Sequence, residues 1–89
     1  MNTDDRWSME VFVAGIDGET DAEAHLTRAD NRNFRGRGKA KLDPADQNVA
    51  VIGEEIAIAR ALSDLSHKLI HSAAVGVESM THEQAHLHR

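Results

Sequence analysis

The chain lacks several residue types on which whole classes of protein function depend. None of its 89 residues is cysteine, which excludes disulfide frameworks, thiolate metal sites and cysteine nucleophiles. It has one proline, no tyrosine, one tryptophan and two phenylalanines, so little aromatic material is left to line an enclosed ligand cleft. The apolar runs are too short to cross a bilayer.

The charge balance and the amino terminus exclude further classes. Fifteen Asp and Glu against ten Lys and Arg give a formal net charge of −5, which disfavours indiscriminate binding to nucleic acid or anionic membranes. The segment from Met1 to Asp5 lacks the basic and apolar regions of a signal peptide. A chain of this length fills at most one core. We therefore expect a single cytoplasmic domain, residues 1–89, without a membrane partner.

The first half of the chain shows the two-residue period of β-strands. Apolar or small residues alternate with polar ones in three segments, about 7–16, 20–27 and 34–42. Asp17-Gly18 separates the first two, and residues 29–33, rich in Asn and Asp, separate the others. Both compositions favour tight turns. The pattern predicts a three-stranded antiparallel meander with one face for a core and one for solvent.

The second half shows the 3.6-residue period of a helix over about residues 52–78, followed by a C-terminal tail over 79–89. The predicted apolar stripe consists of Ile52, Ile56, Ala59, Leu62, Ser66, Leu69, Ile70, Ala73 and Val77, widened by Ile58 and Leu65. The opposite, solvent side carries Glu54, Arg60, Asp64, Lys68 and His71. Asp43-Pro44 is also a start signal, so a start near Pro44 stays open. We favour a single turn there, followed by a break before Gly53.

The order of these elements predicts an α+β fold of two layers, with a β-β-β-α arrangement in which the helix covers one face of the meander. Gly36 and Gly38 lie on the core side of the third predicted strand. Because they lack side chains, we expect the helix to approach the sheet closely at these two positions.

Four basic residues alternate along the third predicted strand and form what we call the basic row: Arg35, Arg37, Lys39 and Lys41. Alternation on a strand places them on one face at about 7 Å spacing, which suits contact with the phosphates of nucleic acid. These four residues are therefore the nucleic-acid candidates.

A second interpretation of the basic row is structural. If the preceding hairpin pairs Thr27 with Arg35, the acidic residues Glu23 and Asp21 face Lys39 and Lys41, and His25 faces Arg37. Opposite charges across adjacent strands stabilise the register and neutralise the row. We favour this interpretation over nucleic-acid binding.

Six histidines are many for a chain of this length. His67 and His71 have the i,i+4 spacing that brings two imidazoles together on a helix, as zinc ligation requires, and they are the weak metal candidates. The predicted tail carries three more: His82, His86 and His88. A closed zinc site needs three or four ligands, and no pattern joins the two groups. We therefore favour a solvated helix face and predict neither a metal nor another cofactor.

No arrangement of residues predicts catalysis. Gly36-Arg37-Gly38 lies within a strand pattern and has no third glycine, which excludes a dinucleotide-binding loop. Ser63, Asp64 and His67 are adjacent on the predicted helix, but a helical surface offers neither a pocket nor oxyanion donors. We predict no catalytic residue and no enzyme.

Part of the predicted apolar surface has no partner within the fold. Phe12 lies on the sheet face away from the helix, and Ile58 and Leu65 lie at the flank of the helical stripe. Exposed apolar patches mark association sites. These three residues are the interface candidates, and we expect a homo-oligomer or a protein partner.

Two segments of the second half resemble a known family: GRGKAKLDPAD at residues 36–46 and IGEEIAIARALSDL at residues 52–65. Together with Glu10-Val11 near the start and Thr81-His82-Glu83 near the end, they are similar to a family of short actinobacterial proteins of unknown function. The family has a double-stranded-RNA-binding-domain-like (dsRBD-like) fold. The resemblance implies that fold but no activity, cofactor or site residue.

The fold name by itself does not imply RNA binding. True double-stranded-RNA-binding domains present lysines at the start of their last helix, whereas this chain has Asp43, Asp46, Glu54 and Glu55 in that region. We therefore predict a small non-catalytic protein that acts through self-association or protein–protein interaction. The alternatives are nucleic-acid binding through the basic row and, more weakly, divalent-metal binding by histidines.

Overall fold

Three antiparallel strands and one long helix make up the fold. The computed structural model describes residues 5–42 and 49–87. Its elements are β1 (Ser8–Ile16), β2 (Glu19–Thr27), β3 (Asn33–Lys41) and α1 (Val49–Leu87). The sheet order is β1-β2-β3, so β2 is central and β1 and β3 are edges. The predicted β-β-β-α fold is confirmed, and each strand is displaced at one or both ends by a single residue.

The turn between β1 and β2 is the one that the sequence predicts. Asp17 and Gly18 have φ values of 52° and 78°. Positive φ at both central residues is the mark of a type I′ turn, whose twist matches that of the flanking strands. Ile16 therefore pairs with Glu19 and fixes the register of the β1–β2 ladder.

The connection between β2 and β3 is tighter than predicted. Asn31 has a φ of 71°, its N–H donates to the Arg28 carbonyl oxygen at 2.9 Å, and the Arg28 N–H donates to the Arg32 carbonyl oxygen at 2.8 Å. These bonds close the loop over residues 28–32, so Thr27 pairs with Asn33. The predicted register, which paired Thr27 two positions further along, is wrong by two residues because the backbone bonds shorten the turn.

Small side chains form the core, which lies between α1 and the sheet. The buried apolar residues are Ala22, Ala24 and Ala40 from the sheet and Ala57, Ala61 and Leu65 from α1. A Cβ on Gly36 would collide with the Ala61 carbonyl oxygen, and one on Gly38 with the Ala57 carbonyl oxygen. The close approach predicted at these two glycines is confirmed, and the backbone of α1 lies directly against β3.

The face that α1 buries differs from the predicted apolar stripe. The buried stripe is Gly53, Ala57, Ala61 and Leu65, spaced by four residues, with Ile56, Ile58 and Leu69 partly buried beside it. The remaining members of the predicted stripe are exposed: Ile52, Ala59, Leu62, Ser66, Ile70, Ala73 and Val77. The prediction placed the most hydrophobic residues against the sheet. A helix that lies close to β3 at Gly36 and Gly38 has room only for small residues on the side that faces the strand.

The helix is longer than predicted at both ends. It begins at Val49, with Gly53 inside it, and runs to Leu87, so the predicted tail is helical as far as that residue. Nothing after Gly76 in the sequence is proline or glycine, and a helix without breakers can continue. The predicted turn near Pro44 lies outside the described residues.

The length of α1 exceeds that of the sheet. Its 39 residues span about 58 Å, roughly twice the ~30 Å of a nine-residue strand. The C-terminal part of α1 therefore projects beyond the sheet. Within the described residues, no helix is both long and apolar enough to cross a membrane.

Because α1 lies against β3, the effect of a Gly→Ala substitution on the free energy of unfolding depends on its position. Gly36→Ala should lower the free energy of unfolding by about 2–3 kcal/mol, because the new Cβ meets helix backbone. Gly76→Ala meets no atom within 4 Å and should raise the free energy of unfolding by up to about 1 kcal/mol through helix propensity. Urea denaturation measures both changes. Equal effects at the two positions would contradict the contact.

Candidate interaction site

The outer edge of β3 is closed by side chains of α1. Three charged residues spaced by four on the helix reach backbone groups of the strand. The contacts are Arg60 Nη1 to the Lys39 carbonyl oxygen (2.7 Å), the Arg37 N–H to Asp64 Oδ2 (2.9 Å) and Lys68 Nζ to the Arg35 carbonyl oxygen (2.6 Å). A strand edge whose donors and acceptors are taken in this way is protected against pairing with another strand.

Arg60 and Lys68 are exposed and Asp64 is partly exposed, as the predicted solvent side requires, but the prediction did not include their contacts with the edge of β3. Because the Ala57–Ala61 side of α1 faces the sheet, the charged flank next to it falls beside the edge of β3. The charged residues thus satisfy backbone groups that water or a second chain would otherwise meet.

Asp64 is the centre of this closure. Its carboxylate accepts the Arg37 N–H and lies 3.2 Å from Lys68 Nζ. The hydrogen bond from Arg37, and next that from Lys68, hold the pKa of Asp64 below its ordinary value of 3.8. The folded state therefore favours the charged form of this carboxyl.

The outer edge of β1 has no such cover among the residues that the structure describes. Along a strand, the N–H and C=O of successive residues point to alternate edges. The Arg37 N–H points away from β2, towards Asp64. In the pairing register, this alternation assigns the outward-facing backbone groups of β1 to Met9, Val11, Val13 and Gly15.

Exposed apolar side chains accompany this free edge. Met9 and Val11, on the helix side of the sheet, are 51% and 38% exposed, because α1 packs mainly over β3 and β2. Trp7, just before the strand, is also about half exposed. Glu10 is the one charged residue in the nine-residue sequence of β1, which contains no proline. Edges of this length usually carry more charge, a proline or a bulge, which prevent pairing with another chain.

The open face of the sheet presents the basic row opposite three carboxylates and His25. The cross-strand pairs are Glu19 with Lys41, Asp21 with Lys39, Glu23 with Arg37 and His25 with Arg35. Lys39 Nζ lies 3.9 Å from Asp21 Oδ1. The predicted ladder of opposite charges is confirmed, but the tight loop shifts every pairing by two residues. A phosphate approaching the basic row would also meet these carboxylates.

His25 and Glu23 form the tightest contact on this face. His25 Nε2 lies 2.9 Å from Glu23 Oε1. This hydrogen bond, aided by the positive charge of Arg37, lowers the pKa of Glu23 below its ordinary value of 4.5. The ring of Phe12 lies 4.9 Å from that of His25 at a tilt of 54°, so the aromatic side chain flanks this hydrogen bond.

The three interface candidates lie in different environments. Phe12 is on the open face and 51% exposed. Ile58 packs partly buried against the core. Leu65 is 4% exposed and belongs to the core itself, so its assignment to an interface is corrected. Leu65 continues the small-residue face of α1 over the sheet, where no second chain can reach it.

The helix histidines do not complete a recognisable site. His67 Nδ1 lies 2.8 Å from the Ser63 carbonyl oxygen of its own helix. In the ranges that the structure describes, no three His, Cys, Asp or Glu side chains group around a metal-sized position with His67 or His71. Asp64 is engaged with β3, so it does not orient His67 towards a serine. The predicted tail histidines lie outside the side chains described.

The sequence analysis predicted neither the side-chain contacts at the edge of β3 nor the free edge of β1. The four-residue spacing of Arg60, Asp64 and Lys68 was visible, but a charged helix flank usually faces solvent. The scarcity of charge in β1 was visible too, with Glu10 alone. Neither pattern says which flank of the helix will lie beside which strand.

Comparisons with known proteins agree on one group of relatives. Residues 5–86 match the family model described as Rv2632c-like. The chain is 45% identical over 75 residues to the uncharacterized protein Rv2632c of Mycobacterium tuberculosis (strain ATCC 25618 / H37Rv), covering 84% of this chain and 80% of that protein. It is 38% identical over 81 residues to the uncharacterized protein Mb1767 of Mycobacterium bovis, covering 91% of this chain and 85% of that protein. The crystal structure of Rv2632c matches with a TM-score of 0.80 at 42% identity, covering 91% of this chain and 95% of that chain.

The contact between Asp64 and β3 predicts that the free energy of unfolding falls in acid as this carboxylate is protonated. Since the folded pKa of Asp64 is lowered, its contribution to stability is complete above the unfolded pKa and is lost as pH falls through the folded one. Asp64→Asn should therefore flatten the fall in the free energy of unfolding below about pH 4. Glu55→Gln, on an exposed position of the same helix, changes the net charge equally and is the control. Identical pH profiles for both variants would contradict the role of Asp64.

The opposed charges on the open face predict weak interaction with nucleic acid. We expect no salt-sensitive binding of RNA or DNA in a fluorescence titration at two salt concentrations, because carboxylates lie opposite the basic row. The double variant Arg35→Ala, Arg37→Ala should behave like the unmodified protein. Micromolar binding that weakens with salt and disappears in the double variant would show the prediction to be wrong.

Proposed function

Since the chain belongs to the Rv2632c-like family, whose matched members are described as uncharacterized, we propose its function from its own surfaces. It is a non-catalytic cytoplasmic protein that acts by self-association, with β1 pairing antiparallel to the β1 of a second copy. The predicted membership of a family of short actinobacterial proteins is confirmed by the match. The observation that carries the proposal is the contrast between the closed edge of β3 and the open edge of β1.

The contrast between the edges supports a discrete dimer. A sheet with two open edges can add strands at both sides and grow without limit. Here Arg60, Asp64 and Lys68 occupy the edge of β3, which leaves β1 for pairing. Two copies that join at β1 expose only the two closed edges of β3, and growth stops at a six-stranded sheet with two-fold symmetry.

The sequence of β1 is complementary to itself when Val11 lies opposite Val11 of the second copy. In that register Met9 of one copy lies opposite Val13 of the other, so apolar pairs line the helix side. On the open side, Phe12 lies opposite Glu10, which keeps the two Glu10 carboxylates out of direct opposition. The outward-facing N–H and C=O groups of Met9, Val11 and Val13 would form about six backbone hydrogen bonds with the second copy.

Two interactions contribute to the affinity between the two copies. Main-chain hydrogen bonds give strand addition its affinity, and the groups that form them are otherwise left to water along β1. Burial of Met9, Val11 and Trp7, all partly exposed at present, adds an apolar term of about 25 cal/mol per Å². The one charged residue of the strand, Glu10, remains on the open face.

Support for a non-catalytic role comes from how the reactive side chains are engaged. Asp64 is bonded to β3, His25 to Glu23 and His67 to its own helix. An acid–base catalyst needs a free group within reach of a bound substrate. Among the described residues these groups serve the architecture instead.

Val11→Pro tests the strand pairing directly. Proline removes the outward-facing N–H of residue 11 but no hydrogen bond of the β1–β2 ladder, so the edge strand can keep its pairing with β2. We expect light scattering after size-exclusion chromatography to show a dimer for the unmodified protein and a lower mass for the variant. Far-UV circular dichroism should stay unchanged.

Two further variants keep the test sharp if proline disturbs the fold. Val11→Thr retains the N–H and the β-branched shape and should stay dimeric. Met9→Lys puts a charge on the edge, as natural edge strands do, and should weaken the dimer. A monomeric unmodified protein over the whole concentration range, or a dimer unaffected by both Val11→Pro and Met9→Lys, rules out pairing at β1.

A further inference from the structure

A cavity lies beside the free edge of β1, at the end of the strand next to the Asp17-Gly18 turn. Its volume is about 290 Å³, and its lining includes Val13 and Gly15 of β1, Thr20 of β2, and Ala50 and Glu54 of α1. Since α1 packs mainly over β3 and β2, it leaves this corner uncovered. Gly15 has no side chain and Ala50 a small one, so the space between strand and helix stays open.

An exposed tryptophan lies at the other end of the same edge. Trp7 is the only tryptophan of the chain and is 48% exposed. The alternation of β1, continued by one residue, places it on the helix side of the sheet with Met9 and Val11. Arg28 Cζ lies 5.5 Å from the centroid of its ring, a cation–π contact that holds the ring in place. An aromatic residue positioned in this way suits the anchor of an interface.

The register proposed for two copies at β1 brings the cavity and the tryptophan together. Two residues beyond the pair of Met9 with Val13, Trp7 of one copy lies opposite Gly15 of the other. An aromatic side chain across from a glycine of the neighbouring strand covers the backbone that the glycine leaves bare. Two-fold symmetry repeats the contact at both ends of the joined strands.

We propose that Trp7 of each copy inserts into the cavity over Gly15 of the other. This inference rests on the proposed pairing at β1 and identifies the side chain that anchors it. The volume of the cavity is sufficient, because a cavity of about 150 Å³ already takes up benzene, and an indole has only one further fused ring. The tryptophan of one copy thus fills the space that the fold of the other leaves open.

The cavity also suits the mixed chemistry of an indole. Val13 and Ala50 offer apolar surface to the ring. Glu54, an exposed residue of the lining, offers a carboxylate that can accept a hydrogen bond from the indole N–H, a donor that needs a partner once it is buried. Tryptophan therefore matches the cavity in its hydrogen bonding as well as in its size.

Insertion of Trp7 selects one register of the two β1 strands. A shift by two residues in either direction places Met9 or Asp5 of the second copy opposite Gly15 instead. Asp5 would bring a carboxylate to a cavity whose lining includes Asp17, Glu19 and Glu54, and like charges disfavour that arrangement. The backbone hydrogen bonds of an antiparallel pair form in each of these registers, so the side chain at position 7 decides between them.

Because the chain has one tryptophan, fluorescence reports directly on this contact. Dilution of the unmodified dimer should shift the emission of Trp7 to longer wavelength and increase its quenching by acrylamide, in step with the loss of dimer mass in light scattering. Trp7→Ala should weaken association about tenfold or more. Emission and quenching that stay constant while the dimer dissociates overturn the insertion of Trp7 and leave pairing at β1 standing.

Two alanines of α1 provide a matched test of the cavity. Ala50 and Ala59 are both exposed and lie nine residues apart, on opposite sides of the helix. Ala50→Phe fills the cavity, so it should weaken association about tenfold or more and leave Trp7 open to acrylamide, whereas Ala59→Phe should do neither. Far-UV circular dichroism checks that both variants fold. Equal effects of the two variants overturn the proposal.

A double variant shows whether Trp7 and the cavity belong to one contact. Ala50→Phe combined with Trp7→Ala should weaken association little more than either change alone, because both remove the same contact. Effects that multiply in the double variant show two independent contacts and overturn the proposal.

The register is tested by introducing single cysteines into this cysteine-free chain. In the proposed register Ser8 lies opposite Ala14 of the second copy on the open face, as a non-hydrogen-bonded pair with Cα atoms about 4.5 Å apart, within disulfide reach. An oxidised equimolar mixture of the Ser8→Cys and Ala14→Cys proteins should yield chiefly the mixed disulfide. No excess of the mixed disulfide over the two like pairs overturns the insertion of Trp7.

The outcomes separate this proposal from the pairing on which it rests. An unmodified protein that is monomeric at every concentration overturns both. A dimer that Val11→Pro dissociates but Ala50→Phe leaves intact overturns only the insertion of Trp7. A dimer weakened by both variants, with Trp7 protected from acrylamide in the unmodified protein, supports both.

Discussion

The contact between α1 and the two glycines of β3 determines most of this structure. At Gly36 and Gly38 the helix backbone near Ala57 and Ala61 lies where any Cβ would collide with it. A helix at this distance cannot carry large side chains on the facing side, so the core consists largely of alanine. The core is therefore small, and its stability depends on close fit more than on the volume of apolar groups it buries.

The lateral position of α1 follows from the same contact and gives the two sheet edges different properties. A helix lying on β3 brings its next flank beside the outer edge of that strand, where Asp64 and its neighbours meet the backbone. The same position leaves β1 nearly uncovered, with Met9 and Val11 exposed. One packing contact thus closes one edge and leaves the other free for strand pairing.

The charged residues of this small protein serve its architecture in two places. On the open face, Glu23 and Asp21 lie opposite Arg37 and Lys39, so a row that resembles a phosphate-binding surface is matched by carboxylates across the strand. Beside β3, charged helix residues replace the water or the extra strand that the edge would otherwise meet. A count of basic residues therefore overstates the surface available to a nucleic acid. Among the residues that the structure describes, the unpartnered features are the apolar ones along β1 and near the end of α1.

The residue pattern was enough to predict the order of the elements and the Asp17-Gly18 turn, because both depend on residues close together along the chain. It also predicted the approach at Gly36 and Gly38 and the opposition of charged rows, because the missing side chains and the alternating charges are visible in the strand segments themselves. It did not determine the pairing of Thr27, which the backbone bonds around Asn31 decide. It also did not reveal that Leu65 is buried while Leu62 is exposed, or that the partly exposed Asp64 accepts a hydrogen bond from the backbone of β3. Periodicity shows which residues share a flank of a helix, but the distance and position of the helix axis choose the flank that is buried. That choice is made by contacts between residues more than twenty positions apart, and only the tertiary structure contains them.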